Sequence, residues 1–191
     1  QLADPDWTED EMFVKPGFVK IPFATERHDK RVHLVSNPCM FKINEVLFGC
    51  CSSDMLFALS TEEVSHGVPG NRLERLASHI LRQHSFAPRF PMAPGGGHNL
   101  DLRQAGHWQM EHVRPDVLIC PSRLMHMAAD CGGTLVVNPG SLTKGMHGGT
   151  FAQLDINPLD VDGLRNKKVA DPNEEIAHGV PARTSVRITR I

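Results

Sequence analysis

An α/β fold is predicted by three observations in this 191-residue chain. Asp116 to Cys120 is a short apolar run of the buried-strand type, and Pro121 follows where a helix can open. Gly132-Gly133 then closes the helical segment before a second β-branched run from Thr134. Upstream, Leu73, Leu76, Ala77, Ile80 and Leu81 recur at three- and four-residue intervals, the stripe of an amphipathic helix that must bury against a sheet. Strand, helix, strand at this spacing implies layered α/β architecture.

The elements follow in order. Residues 1–31 carry Pro5, Pro16 and Pro22, which interrupt any long periodic pattern and predict an irregular lead-in to a domain over residues 32–191. Val32 and Leu34, then Phe41, Ile43, Val46 and Phe48, form two short strand-like runs around Asn37-Pro38 and Asn44, the second ending at Gly49. Asp54 is placed to cap a short helix through Leu59. Ser60 to Glu63 has the form of a capping box, with Ser60 as N-cap and Glu63 at the third helical position.

Asn71 is the N-cap expected for a helix from Arg72 to His84, whose solvated face holds Arg72, Glu74, Arg75, Arg82 and Gln83. Residues 87–106, centred on Pro91-Met92-Ala93-Pro94-Gly95-Gly96-Gly97, are a loop by composition. After the strand of Asp116 to Cys120 and the helix from Pro121, Leu135 to Val137 forms a strand ended by Asn138-Pro139-Gly140. A further strand runs from Thr150 to Ile156. The polar stretch through Ala182 predicts a solvated loop, and Val186 and Ile188, alternating with Arg187 and Thr189, form a closing strand.

Composition excludes several functions. Hydrophobic residues make up 40% and charged residues 22%, with a formal net charge of -2, as in a globular chain with a real core. No apolar run approaches the roughly 20 residues that span a bilayer, so no membrane role is expected. The 20 basic residues are scattered among 22 acidic ones, which argues against nucleic-acid binding by charge alone. With no tyrosine and two tryptophans, the chain also lacks an aromatic-basic platform for single strands. Cys39, Cys50, Cys51, Cys120 and Cys131 are an odd set without framework spacing, so reduced thiols in a cytosolic or nuclear setting are expected. The chain begins at Gln1 with no signal-like apolar segment and is expected to be part of a longer product.

Among candidate sites, His98, His107, Glu111, His112 and His126 cluster in sequence, but His107 and His112 are five apart and lack the spacing of a zinc helix. Cys50-Cys51 lacks the two-residue spacer of a redox motif, and strand geometry sends the two side chains to opposite faces, one into the core. Gly140 to Gly145 fails the phosphate-loop pattern because Lys144 precedes the second glycine. Lys144 and His147 belong to a solvated loop on this reading; contact with a phosphate backbone or an acidic partner is the functional alternative.

Four segments carry a resemblance: HLVSNPCMFKINEVLFGCCSSDMLFAL at 33–59, RLERLASHILRQHSFAPRFP at 72–91, PDVLICPSRL at 115–124 and VVNPGSLTKGMHGGTFAQL at 136–154. Together with the closing VRITRI they resemble the C-terminal part of the B-subunit family of DNA polymerase alpha, the accessory subunits of the polymerase alpha–primase complex. The resemblance spans most of residues 32–191 and is weaker in the Gly-rich loop, the polar stretch and the first 31 positions. It implies the C-terminal portion of a calcineurin-like metallophosphoesterase domain, a β-sandwich flanked by helices, with the upstream half and an oligonucleotide-binding domain lying outside this chain.

The resemblance also implies a non-catalytic nuclear subunit that binds the C-terminal domain of the polymerase catalytic subunit, engages primase indirectly and meets DNA through the assembly. Active enzymes of this fold clamp two cations with Asp-x-His, Gly-Asp-x-x-Asp, Asn-His and Gly-His-x-His turns, and none of these strings occurs here. The resemblance places the last turn at Cys120-Pro121-Ser122-Arg123, where proline offers no ligand and arginine repels a cation. The expectation is therefore no catalytic residue, no metal ligand and no cofactor. Competing readings are an active metal-dependent phosphoesterase, for which Asn138-Pro139-Gly140-Ser141 resembles a turn of bacterial enzymes of the fold, and a nucleic-acid-binding module.

Overall fold

A computed structural model describes residues 35–89, 102–110, 113–166 and 179–191. The predicted lead-in, the Val32–Leu34 run, the Gly-rich loop over 90–101 and residues 167–178 of the polar stretch lie outside the described residues. Strands β1 (Cys39–Ile43) and β2 (Val46–Cys50) form an antiparallel hairpin whose two-residue turn is opened by Asn44 at φ 54°, a left-handed position that asparagine tolerates. Strand β2 then pairs in parallel with β3 (Val117–Ile119), and β3 in parallel with β5 (Leu135–Asn138). Strand β4 (Met127–Asp130) closes the sheet antiparallel to β5, giving the order β1-β2-β3-β5-β4.

The helices cover one face of this sheet. In α1 (Met55–Ser60) the Asp54 carboxylate accepts from the Phe57 amide, and in α2 (Arg72–Arg82) the Asn71 side chain accepts from the Leu73 amide, so both predicted N-caps are present. The predicted stripe of α2 is buried in full and packs with Met55 and Leu56 of α1 against Leu118 and Val136 of the sheet. The opposite face is covered by a second sheet, β8 (Thr150–Ile156) against β9 (Thr184–Arg190), whose Ala152, Leu154, Ile156 and Val186 pack on Val117, Leu135 and Val137. Alternate residues of β3 and β5 thus feed two cores, as the period of two in a strand dictates.

Two helix expectations are corrected. Pro121 opens no helix: residues 121–126 are irregular, and β4 stands where the helix was expected, with Gly132 and Gly133 at φ 68° and 91° in its hairpin turn to β5. The backbone groups a helix would use are already engaged, because Asn138 accepts from the Ser122 amide and donates to the Leu124 and Met125 carbonyls. Ser60 to Glu63 is not a capping box. Ser60 ends α1 and donates to the Phe57 carbonyl, while Glu63 pairs with Arg72 and Arg75 of α2 at 2.6 and 3.2 Å, hydrogen bonds from Arg72 first among the causes that lower its pKa.

The loop from Asn138 to Thr150 is also less plain than a turn, since β6 (Thr143–Lys144) and β7 (His147–Gly148) pair within it. The polar stretch before Ala182 contains α3 (Val161–Asn166) rather than loop alone, and residues 102–108 at the end of the predicted loop form a 3-10 helix. No helix among the described residues is long and apolar enough to cross a membrane.

Candidate functional site

Ligands of open α/β sheets bind beyond the carboxyl ends of parallel strands. Here those ends are Cys50-Cys51-Ser52 after β2, Cys120-Pro121-Ser122-Arg123 after β3 and Asn138-Pro139-Gly140 at β5. The parallel register of β2, β3 and β5 brings all three to one edge.

Asn138 organises that edge. Its side chain is fully buried, and its Oδ1 accepts from the Ser122 amide at 2.8 Å and the Gly140 amide at 2.9 Å. Its Nδ2 donates to the Met125 carbonyl at 3.1 Å and to the Leu124 carbonyl at 3.4 Å. Ser122, also buried, accepts from the Leu124 amide through Oγ. One amide side chain thereby ties the β3–β4 connection to the end of β5 with its hydrogen-bonding capacity used on protein backbone.

Asp54 and Arg123 form the second cluster. The Asp54 Oδ1 caps α1, while Oδ2 accepts from the Arg123 amide at 2.9 Å and lies 3.5 Å from its Nε. The Arg123 guanidinium carbon lies 4.5 Å above the centre of the Phe57 ring. A carboxylate at this edge is thus spent on a helix amide and an arginine, the opposite of a cation cradle.

A third contact closes the edge over Gly140. The Thr150 hydroxyl donates to the Pro139 carbonyl at 2.6 Å and sits 3.0 Å from His126 Nε2, so the imidazole must supply the proton of that second bond. Gly140 has φ 77°, and a Cβ there would fall 2.5 Å from Thr150 Oγ1 and 2.7 Å from His126 Nε2. Gly140→Ala is expected to lower unfolding free energy by about 2 kcal/mol, from the left-handed backbone and the displaced side chains. The midpoint of urea unfolding of the full chain checks this.

The histidines do not converge as described. His107 is exposed in the 3-10 helix and lines a cleft with Cys39 and Gln109, whereas His126 is held by Thr150. His98, Glu111 and His112 lie outside the described residues. Among the described residues, no three His, Cys, Asp or Glu side chains are grouped to hold a metal ion. Lys144 and His147 are exposed cross-strand partners in the β6–β7 hairpin. Cys51, one residue past β2, is buried in the helix-side core, and Cys50 is half-buried. Cys120 is buried with its thiol pKa pushed strongly up, by desolvation first and then by Cys51, Cys50 and Asp54, which makes it an inert core residue.

Sequence reasoning singled out Asn138 for its turn chemistry and missed its role as the hub of the edge. It likewise missed the bond from Arg123 to Asp54, 69 positions away, for which local pattern carries no signal.

A family model describing the B subunit of DNA polymerase alpha/epsilon matches residues 6–129, which include the ends of β2 and β3. The chain belongs to this family. Its relatives include the B subunit of DNA polymerase alpha from Schizosaccharomyces pombe, 40% identical over 167 residues, or 81% of this chain and 27% of the relative. The mouse B subunit of DNA polymerase alpha is 39% identical over 156 residues, covering 78% of this chain and 26% of that protein. The counterpart from Saccharomyces cerevisiae is 27% identical over 184 residues, 80% of this chain and 26% of the relative. The chain thus spans about a quarter of the length of these relatives.

Proposed function

We propose that this chain is the C-terminal part of a non-catalytic accessory B subunit of the DNA polymerase alpha–primase complex, in a degenerate calcineurin-like phosphoesterase domain. On this reading it binds and stabilises the polymerase catalytic subunit through that subunit's C-terminal domain, meets primase indirectly, and acts in the nucleus in the initiation of DNA replication. Membership of the B-subunit family supports the assignment. The non-catalytic half is supported by the strand edge itself, where Asn138 spends its side chain on bonds to backbone and Asp54 is engaged by Arg123.

The test is metal content and turnover. The full-length protein, purified with Mn or Zn present, is expected to hold no stoichiometric metal at this edge and to leave a bis-nitrophenyl phosphate substrate uncleaved. Stoichiometric metal with phosphodiesterase activity that is lost on chelation and restored by adding the metal back would return the active-enzyme reading.

A further inference from the structure

Cys39 and Cys50 face each other across the β1–β2 hairpin as direct register partners. Directly opposed residues of antiparallel strands have Cα atoms about 4.5 to 5.5 Å apart, inside the span of roughly 4.4 to 6.8 Å that a disulfide tolerates. As direct partners of an antiparallel pair their side chains leave the same face of the hairpin, and both residues are half-buried rather than enclosed. The other three cysteines are committed elsewhere. Cys51 is buried with its Sγ 3.9 Å from the Ser53 carbonyl, Cys120 is buried in the core, and Cys131 directs its Sγ to the Glu74 carbonyl of α2 at 4.0 Å.

We propose that Cys39 and Cys50 are a thiol-oxidation site, closing a reversible cross-strand disulfide when the protein meets a hydroperoxide. The Cys39 sulfur attacks the peroxide: an S–O bond forms, the O–O bond breaks, and water leaves when the oxidant is hydrogen peroxide. The Cys50 sulfur then attacks the Cys39 sulfenic acid, forming the S–S bond and releasing the second water. Two thiols lose two electrons and two protons, and the peroxide is reduced to two waters. Burial raises both thiols, that of Cys50 up to about 11, and Cys39, on the edge strand β1, is assigned as the first sulfur oxidised. A dithiol reductant reverses the reaction. Because β1 is an edge strand of the five-stranded sheet, the bond fastens the strand with most freedom to part from it.

Trypsin makes the link readable, since Lys42 lies between the two cysteines and cleavage separates peptide 32–42 from peptide 43–72. In the full chain treated with hydrogen peroxide, the expected result is a linked 32–42/43–72 pair, the loss of two alkylatable thiols among this chain's five cysteines, and full recovery with dithiothreitol. Tandem fragmentation should place the link at Cys50; Cys51→Ser should retain the pair and Cys50→Ser should abolish it. A link that maps to Cys51, or Cys39 and Cys50 that remain separately alkylatable or pass to sulfinic acids without a linked peptide, overturns the proposal.

Discussion

Asn138→Ala is expected to lower the unfolding free energy of the full chain by about 4 kcal/mol, read as a shift in denaturant midpoint at unchanged slope. The substitution leaves the Ser122 and Gly140 amides and the Leu124 and Met125 carbonyls without their shared partner in a buried setting. Each such orphaned group costs roughly 1–3 kcal/mol, and relaxation or water entry recovers part of the sum. Asn138→Asp should fare no better. A carboxylate keeps the two acceptor bonds but directs lone pairs at the Leu124 and Met125 carbonyls and carries a charge into a fully buried site. A loss below about 1 kcal/mol for both variants would show that the edge does not depend on this side chain.

Leu118→Ala is expected to cost about 3 kcal/mol by the same measurement. Leu118 is fully buried in the middle of the central strand β3 and packs in the core that α1 and α2 cover. Truncation removes buried methyl groups and leaves a cavity between sheet and helix that a strand hydrogen-bonded on both sides cannot close. Val137→Ala, on the other face, should cost less, about 1–2 kcal/mol, because it removes less side chain and because the β8–β9 residues packed there are only partly buried. Equal losses at the two positions would contradict the two-core description.

Much of this fold was legible in the sequence because the signals were local. Asp54 and Asn71 announce helix starts through side chains that reach amides two or three residues on, and the stripe of α2 needs only its own period. Thr150–Ile156 alternates along its whole length, so its span was readable as it stands. The failures share a cause. Residues 121–131 contain Leu124, Met125, Ala128 and Ala129, good helix formers, and β5 overrides that propensity, Asn138 binding the Leu124 and Met125 carbonyls and the strand pairing with Ala128 and Ala129. Glu63 matched a local motif but paired with Arg72 and Arg75 across the turn into the next helix.

The site was legible in part. Cys120-Pro121-Ser122-Arg123 can be picked out as a turn after a strand, but not that Asn138 and Asp54 bind its backbone, because those contacts depend on how the strands align. The Cys39–Cys50 pairing was within reach of sequence reasoning, since a two-residue turn at Asn44-Glu45 sets the hairpin register that places them opposite one another.

On the proposed function, the full-length protein serves by binding the polymerase's catalytic subunit. Co-purification of the full-length protein with the C-terminal domain of the DNA polymerase alpha catalytic subunit tests it most directly. A stoichiometric complex that survives gel filtration is the result predicted, and failure of the folded full-length protein to bind that domain would contradict it.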